Sequence, residues 1–525
     1  MQGLMFNDDE INFFLTVGAD EMSARAVDEH VDEIIEAGAT CLLCNTNGMR
    51  TNYDSDAWEP YWQGYDSDGA DDQEALRGSG PEVIREVRPI LDSMLSLHRQ
   101  GVDFPARVIE RCRTRGISPW ITLRMNDAHE TLVPASPFQS SFWKENPHLR
   151  RVLHSVGTRP DQALDFAHSE VRDHYGNLIR ETLERYDIDG LELDFMRHQF
   201  YFGVGRELAG ATLLTAWLKE IRGLVNAAKS RWGHPVHLGV RVPSRPDTAR
   251  RIGLDVVAWA KDGLVDLVTV AASAYATTTE FDMPIRLWRD LLSPYGVKLA
   301  GAVEPNTHRY AGVAQEWITP QTAVGAATAI LAGGADAVYL FNWFYGRLED
   351  KFAEAAWTRT TFETVVRAMS SLEALQALPR RHVVTYREVL APGELVPVNP
   401  MVLATRLGGT HVWSEMRPIE YPLPAVGLHL AFRLQTGPKP TGRKVQVVLG
   451  LEADTDATVY APMVRVNSVE CARSESESEY GDGVFTYDVP EDGLADEEHV
   501  IEVMGNIATG GKFLKVTRVE LCVEA

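Results

Sequence analysis

The chain has 525 residues, with 51 Lys and Arg against 74 Asp and Glu, a formal charge of −23. This acidic balance repels phosphate backbones and argues against a nucleic-acid partner, while 45% hydrophobic and 24% charged residues describe a folded chain rather than a disordered one. The length exceeds what one core usually supports, so two domains are expected.

From the N-terminus to about residue 345, apolar runs of strand length alternate with stretches of helical period, the pattern of βα units. Strands are expected at residues 11–17, 40–45, 118–125, 190–195, 236–242, 265–271, 298–304 and 337–342. The first is followed by a helix over 23–37, whose Ala26, Val27, Val31 and Ile34 recur at helical spacing. After the second strand comes a long insertion, residues 47–80, rich in Asp, Gly, Tyr and Trp. An aromatic and proline-rich loop, 128–160, follows the third. The 47–80 insertion has the composition of an active-site loop. Eight such repeats close a (β/α)8 TIM barrel of the α/β class, assigned to residues 1–380. No glycine-rich phosphate loop follows the first strand, which disfavours an open dinucleotide-binding sheet. Beyond residue 378 the pattern turns to short alternating strands, as at 444–449 and 516–523, with Gly437, Pro438 and Pro440 marking a turn. A C-terminal all-β sandwich over 381–525 is expected, either carbohydrate-binding or accessory.

Five cysteines make no disulfide framework in a chain of this size. Cys41 and Cys44 stand in an apolar strand without a second pair, so burial is the better reading. No segment has the length of a membrane span, and residues 1–10 lack a basic stretch followed by an apolar run. The expectation is a soluble, cytoplasmic protein without a membrane partner, or a secreted one had a signal peptide been removed. A homo-oligomer is compatible with the sequence.

The chemistry is concentrated at residues 186–198. Leu191, Leu193 and Phe195 alternate there with Glu192 and Asp194, so both carboxylates share one face of a strand. In a closed barrel that face is the interior, and the C-terminal strand ends carry the catalytic groups. The other predicted strand ends are strongly polar. They hold Asn45 and Asn47 after the second strand, Arg124, Asn126 and Asp127 after the third, Arg197 and His198 after the fourth, and Arg241 on the fifth. Ser273 and Tyr275 follow the sixth, Glu304 ends the seventh, and Asn342, Trp343 and Tyr345 follow the eighth.

Asp194 and Glu304, from strands across the mouth, can flank a substrate as glycoside hydrolysis requires, with one carboxyl protonating the leaving oxygen and the other attacking the anomeric carbon or activating water. Glu192 is a third, deeper catalytic candidate. Trp58, Trp62, Trp143, Trp343 and Tyr345 offer aromatic faces on which sugar C–H surfaces stack. Arg124, Arg197 and Arg241 either hold an anionic sugar or neutralise Glu192, Asp194 and Asp127, and the second reading is slightly favoured. His129, His198 and His308 have no metal-ligand spacing and read as hydrogen-bonding residues. Neither a metal nor a cofactor is called for.

The run Asp189-Gly190-Leu191-Glu192-Leu193-Asp194-Phe195-Met196-Arg197 resembles the fourth-strand signature D-G-x-x-x-D-x-x-R of glycosyl hydrolase-like, family-10-like barrels, over about residues 10–350. The resemblance implies that Asp194 is a catalytic carboxylate with Arg197 as its neighbour. Family-10 xylanases carry Asn-Glu at this strand end where this chain has Leu193-Asp194, so xylan is not the implied substrate. By analogy with barrels that use a seventh-strand glutamate, Glu304 would be the nucleophile and Asp194 the acid/base; barrels with a fourth-strand aspartate nucleophile reverse the roles. A glycoside hydrolase acting on an oligo- or polysaccharide, the substrate neutral or acidic, is the resulting expectation. The alternatives are a lyase or isomerase of acidic sugars, in which Tyr275 or a histidine abstracts a proton, and a carbohydrate-binding protein without turnover.

Overall fold

The computed structural model describes residues 3–152, 159–272, 279–307, 309, 316–343, 353–385, 429–453, 461–474, 481, 483–504 and 514–524. Eight parallel strands close a barrel: β1 Gly3–Asp8, β2 Cys41–Asn45, β3 Ser118–Arg124, β4 Gly190–Asp194, β5 His237–Pro243, β6 Leu267–Ala271, β7 Lys298–Val303 and β8 Ala337–Phe341, with β8 pairing back onto β1. Helices run between successive strands, as the βα repeat requires.

The first strand is not where the sequence pattern puts it. Residues 11–17 lie mostly in a helix, α1 Glu10–Thr16, and the barrel strand is the preceding Gly3–Asp8. The run Ile11-Asn12-Phe13-Phe14-Leu15 has strand-like composition, but Asp9 caps a helix by accepting a hydrogen bond from the Ile11 N–H. Phe13 then stacks on Phe104 and Phe14 packs against it at a tilt, with ring centroids 5.3 and 5.1 Å away. Burying each phenylalanine is worth about 1.5–3 kcal/mol, which offsets the poor intrinsic stability of a seven-residue helix. Helix α2, Ala24–Glu36, follows as expected, capped by Ser23.

Alternate residues of each strand fill the barrel. Met5, Cys41, Leu43, Trp120, Leu267, Ala300, Ala302, Ala337, Tyr339 and Phe341 form an interior cluster separate from the larger core between strands and helices. Trp120 plugs the lower end, and neighbouring strands make room for it. A Cβ at Gly190 would overlap its indole ring, and one at Gly239 would come within 3.0 Å of it. Cys41 belongs to this interior cluster and Cys44 to the outer core, because residues three apart on a strand point to opposite sides. All five cysteines are buried and none is in a disulfide.

The C-terminal part is an antiparallel sheet of eight strands: β9 Arg380–Val383, β10 His429–Gly437, β11 Val445–Ala453, β12 Val464–Val466, β13 Val469–Arg473, β14 Val484–Asp488, β15 Glu497–Met504 and β16 Leu514–Val523. The spatial order is β9-β16-β11-β14-β13-β12-β15-β10. The edge strands β9 and β10 approach each other, so the sheet folds over one apolar filling that includes Phe432, Leu434, Val447, Leu449, Ile501 and Val503.

This β-domain is docked on the barrel. Helix Pro320–Ala332 packs across β9, with Gly325 against the Arg381 main chain so closely that a Cβ would overlap it. Arg433 on β10 makes a two-pronged salt bridge to Asp282, at 3.0 and 2.9 Å. Arg309, following β7, reaches Glu520 on β16 at 2.5 Å. The β-domain therefore braces the segments that follow β6 and β7. Among the described residues no helix is long and apolar enough to cross a membrane.

Candidate active site

Strand register assembles the site in two layers. Arg124 on β3, Asp194 on β4 and Arg241 on β5 are direct neighbours across the sheet. One layer below, Thr122 pairs with Glu192. Because side chains alternate with period two, both layers face the barrel axis.

The upper layer is organised by Arg241. Its guanidinium, wholly buried, donates from Nη1 to both Asp194 oxygens at 3.3 and 3.2 Å and from Nη2 to Glu304 Oε1 at 2.9 Å. It lies 4.1 Å from the centroid of the Phe341 ring, a cation–π contact that holds the fork in place. Burial works against the charge, but Asp194 and Glu304 outweigh it and keep the guanidinium protonated, its pKa above the usual value. Asp194 is fixed further by the Met196 N–H, which donates to its Oδ1 at 2.8 Å. Glu304 stands just after β7. Its N–H donates to Thr279 Oγ1 and its carbonyl accepts from the same hydroxyl, each at 2.8 Å. Both carboxylates are 1% exposed.

Glu192 sits beneath, fully buried. Its Oε1 accepts from the hydroxyls of Thr122 (2.9 Å) and Tyr339 (2.7 Å), and its Oε2 from Thr269 (3.3 Å). Asn7 Nδ2 donates to the Tyr339 hydroxyl oxygen at 2.7 Å. Burial and the nearby Asp194 charge push Glu192 up to about 7, against the lowering influence of these hydroxyls and of Arg241.

A second cluster stands beside β3 and β4. Arg124 pairs with Asp9 (2.6 Å) and Asp127 (3.3 Å). His129 Nδ1 lies 2.9 Å from both Asp127 oxygens, and Arg197 Nη2 lies 2.8 Å from His129 Nε2. Since a guanidinium only donates, His129 Nε2 is the acceptor and Nδ1 carries the proton to Asp127. His198 Nδ1 accepts the Ala128 N–H at 3.1 Å, which leaves its proton on Nε2. Burial would raise the Asp127 carboxyl, yet His129 and Arg124 hold it well below the usual range. Asp9 is lowered in the same way by Arg124, Arg197 and His129, against its burial. Asp127, His129 and His198 each offer a ligand atom within 4.8 Å of the others. Both His129 nitrogens are already engaged, however, and two arginines flank the group, which is a poor setting for a cation.

Other expected site residues serve the scaffold. Asn45 Nδ2 donates to the carbonyls of Asn47 and Thr122. Asn47 brackets Arg124, accepting its N–H at 3.0 Å and donating to its carbonyl at 3.1 Å. Asn126 ties Leu164 and Phe200 through their main chains. Trp343 is buried, donates to the Val303 carbonyl and packs edge-on against Trp357. Trp58 stacks on His174, Trp62 packs on His98, and Trp143 lies under Arg150; all three are buried. The four tryptophans expected to meet sugar are thus turned into the structure, because large rings gain more from desolvation than from solvent exposure. Asn342 follows β8 in the left-handed region at φ 61, with a buried Oδ1 that has no partner among the described residues. His198 shares that backbone conformation at φ 64; such strain gathers at functional sites. Ser273, Tyr275, His308 and Tyr345 lie outside the described residues.

Asp9, Asn7, Thr122, Thr269, Thr279 and Tyr339 support these clusters and lie outside the strand-end pattern legible in the sequence. Asp9 escapes it because the apolar pattern places the first strand after it. The signal is the polar run Asn7-Asp8-Asp9 directly following the apolar Leu4-Met5-Phe6.

No family model matches the chain, and no curated protein sequence matches it. Among solved structures it is similar to a maltogenic α-amylase from Thermotoga neapolitana, with a TM-score of 0.40 and 9% identity over 96% of this chain and 99% of that one. It is also similar to an endo-1,4-β-mannanase from Rhizomucor miehei, at 0.39 and 12% over 70% and 95%. An α-L-fucosidase from Lactobacillus casei gives 0.35 and 14% over 70% and 84%. At these scores the functional reading rests on the side chains of this chain alone.

Proposed function

We propose that this protein is a glycoside hydrolase that cleaves its substrate with Asp194 and Glu304. One observation carries the reading: two buried carboxylates, from the C-terminal ends of strands four and seven, are bridged by the single guanidinium of Arg241. Both acids stand at the end of the barrel where such enzymes gather their reacting groups, close enough together to share one guanidinium. In the reaction, one carboxyl gives its proton to the glycosidic oxygen as the bond from that oxygen to the anomeric carbon breaks. The other carboxylate either attacks that carbon, to be displaced later by water, or takes a proton from the attacking water. The net change is addition of one water across the bond. Arg241 orients both acids and stabilises whichever is ionised, while Glu192 beneath them adjusts the local charge.

The test is a product screen by mass spectrometry on neutral and acidic oligosaccharides and aryl glycosides, with wild type, Asp194→Asn and Glu304→Gln. A water-added product, made about 10²- to 10⁴-fold more slowly by each variant, is expected. Products lacking the added water, or variants as active as wild type, would overturn the assignment.

A further inference from the structure

Beside the carboxylate pair stands a cation that no carboxylate of the described residues pairs with. Arg197 is 6% exposed, yet no carboxylate lies within salt-bridge distance of it among the described residues. Its only hydrogen bond to them is from Nη2 to the neutral His129 Nε2, and its buried Nε has no partner. The other two arginines of the mouth are each paired with two acids: Arg124 with Asp9 and Asp127, Arg241 with Asp194 and Glu304. Leaving a guanidinium buried and unpaired is costly, and burial together with the like charge of Arg124 weakens its hold on the proton, against the more distant Asp9, Asp127 and Asp194.

The position of this cation is specific. Arg197 and Arg241 lie over the same Phe341 ring, at 5.2 and 4.1 Å from its centroid, so the unpaired fork is one side chain away from the reacting acids. His129, with a side chain 24% exposed, marks where the cluster meets solvent. His198 is held in place by the Ala128 N–H, which donates to its Nδ1. The rings of His129 and His198 meet edge to face at 4.6 Å, so Arg197 and the two histidines form one group.

We propose that Arg197 binds the carboxylate of an acidic sugar, making the substrate a uronic-acid glycoside held with its anomeric carbon at Asp194 and Glu304. This rests on the hydrolase reading for the reaction, but not for the binding. A carboxylate accepts two parallel N–H bonds from an arginine fork and supplies the missing counter-charge, whereas a neutral sugar hydroxyl supplies only an acceptor.

The test is calorimetric binding of matched glycosides that differ only at C6, glucoside against glucuronide and galactoside against galacturonide, together with the 6-sulfated forms. The proteins are wild type, Arg197→Met and Arg197→Lys. Wild type is expected to prefer a uronate over its neutral partner, with about 10- to 100-fold weaker binding in Arg197→Met. Arg197→Lys should recover part of the loss, because it keeps the charge but not the fork. Equal binding of the paired sugars, no uronate binding at all, a preference for the sulfated form, or unchanged uronate affinity in Arg197→Met would each overturn the proposal. Uronates bound through Arg197 but not hydrolysed would leave it standing and overturn the hydrolase reading; neutral glycosides hydrolysed with no uronate preference would do the reverse.

Discussion

Replacing Glu192 with glutamine should stabilise the protein above neutral pH and leave it unchanged in mild acid. Glu192 is wholly buried, and burial together with Asp194 raises it from 4.5 to about 7. Between these values the native side chain keeps a proton that the unfolded chain has lost. The native state then binds more protons, so stability falls as pH rises through this window, and the full loss is present above about pH 7. At ~1.4 kcal/mol per pH unit the difference amounts to about 3 kcal/mol. Glutamine is close to isosteric with the protonated acid, its Oε1 can keep the Thr122 and Tyr339 bonds, and its Nε2 can donate to Thr269 in place of the contact now made by Oε2. Urea unfolding of wild type and Glu192→Gln at half-unit steps from pH 4.5 to 8.5 gives the difference directly, because the other titrating groups are common to both proteins. The curves should coincide near pH 4.5 and separate by up to about 3 kcal/mol at pH 8, with the variant the more stable. Parallel curves, or a variant less stable at pH 8, would refute the argument from burial.

Arg241→Met removes the only side chain that bridges Asp194 and Glu304 among the described residues, taking a shared positive charge away from two buried carboxylates. A loss of about 3–5 kcal/mol in unfolding free energy is expected, together with loss of activity, and a variant as stable as wild type would contradict the burial of that pair. Gly325→Ala places a methyl group against the Arg381 main chain where helix Pro320–Ala332 meets β9, so it should destabilise by about 1–3 kcal/mol. Limited proteolysis should then release the β-domain earlier than in wild type; an unchanged digestion pattern would show that the docking tolerates the methyl.

The sequence alone determined most of the architecture. Seven barrel strands, the closure of the barrel, the all-β C-terminal part and the carboxylates of β4 and β7 were all legible, because strand and helix impose different periods on apolar residues and a parallel barrel repeats them eight times. Where that signal was weak, the reading failed. Residues 11–17 are apolar enough for a strand, but the Asp9 cap and the contacts of Phe13 and Phe14 with Phe104, 90 residues on, make them a helix and move the first strand to Gly3–Asp8. Partner choice was beyond the sequence altogether. Arg124, Arg197 and Arg241 look alike at three successive strand ends, yet the fold gives two of them two acids each and the third a neutral histidine. Likewise Asn45, Asn47 and Asn126 hold main chain, and the loop tryptophans pack inward. Which polar group faces a ligand depends on strand register and on distances of an ångström or two between residues far apart in the chain, and those are set only when the barrel closes.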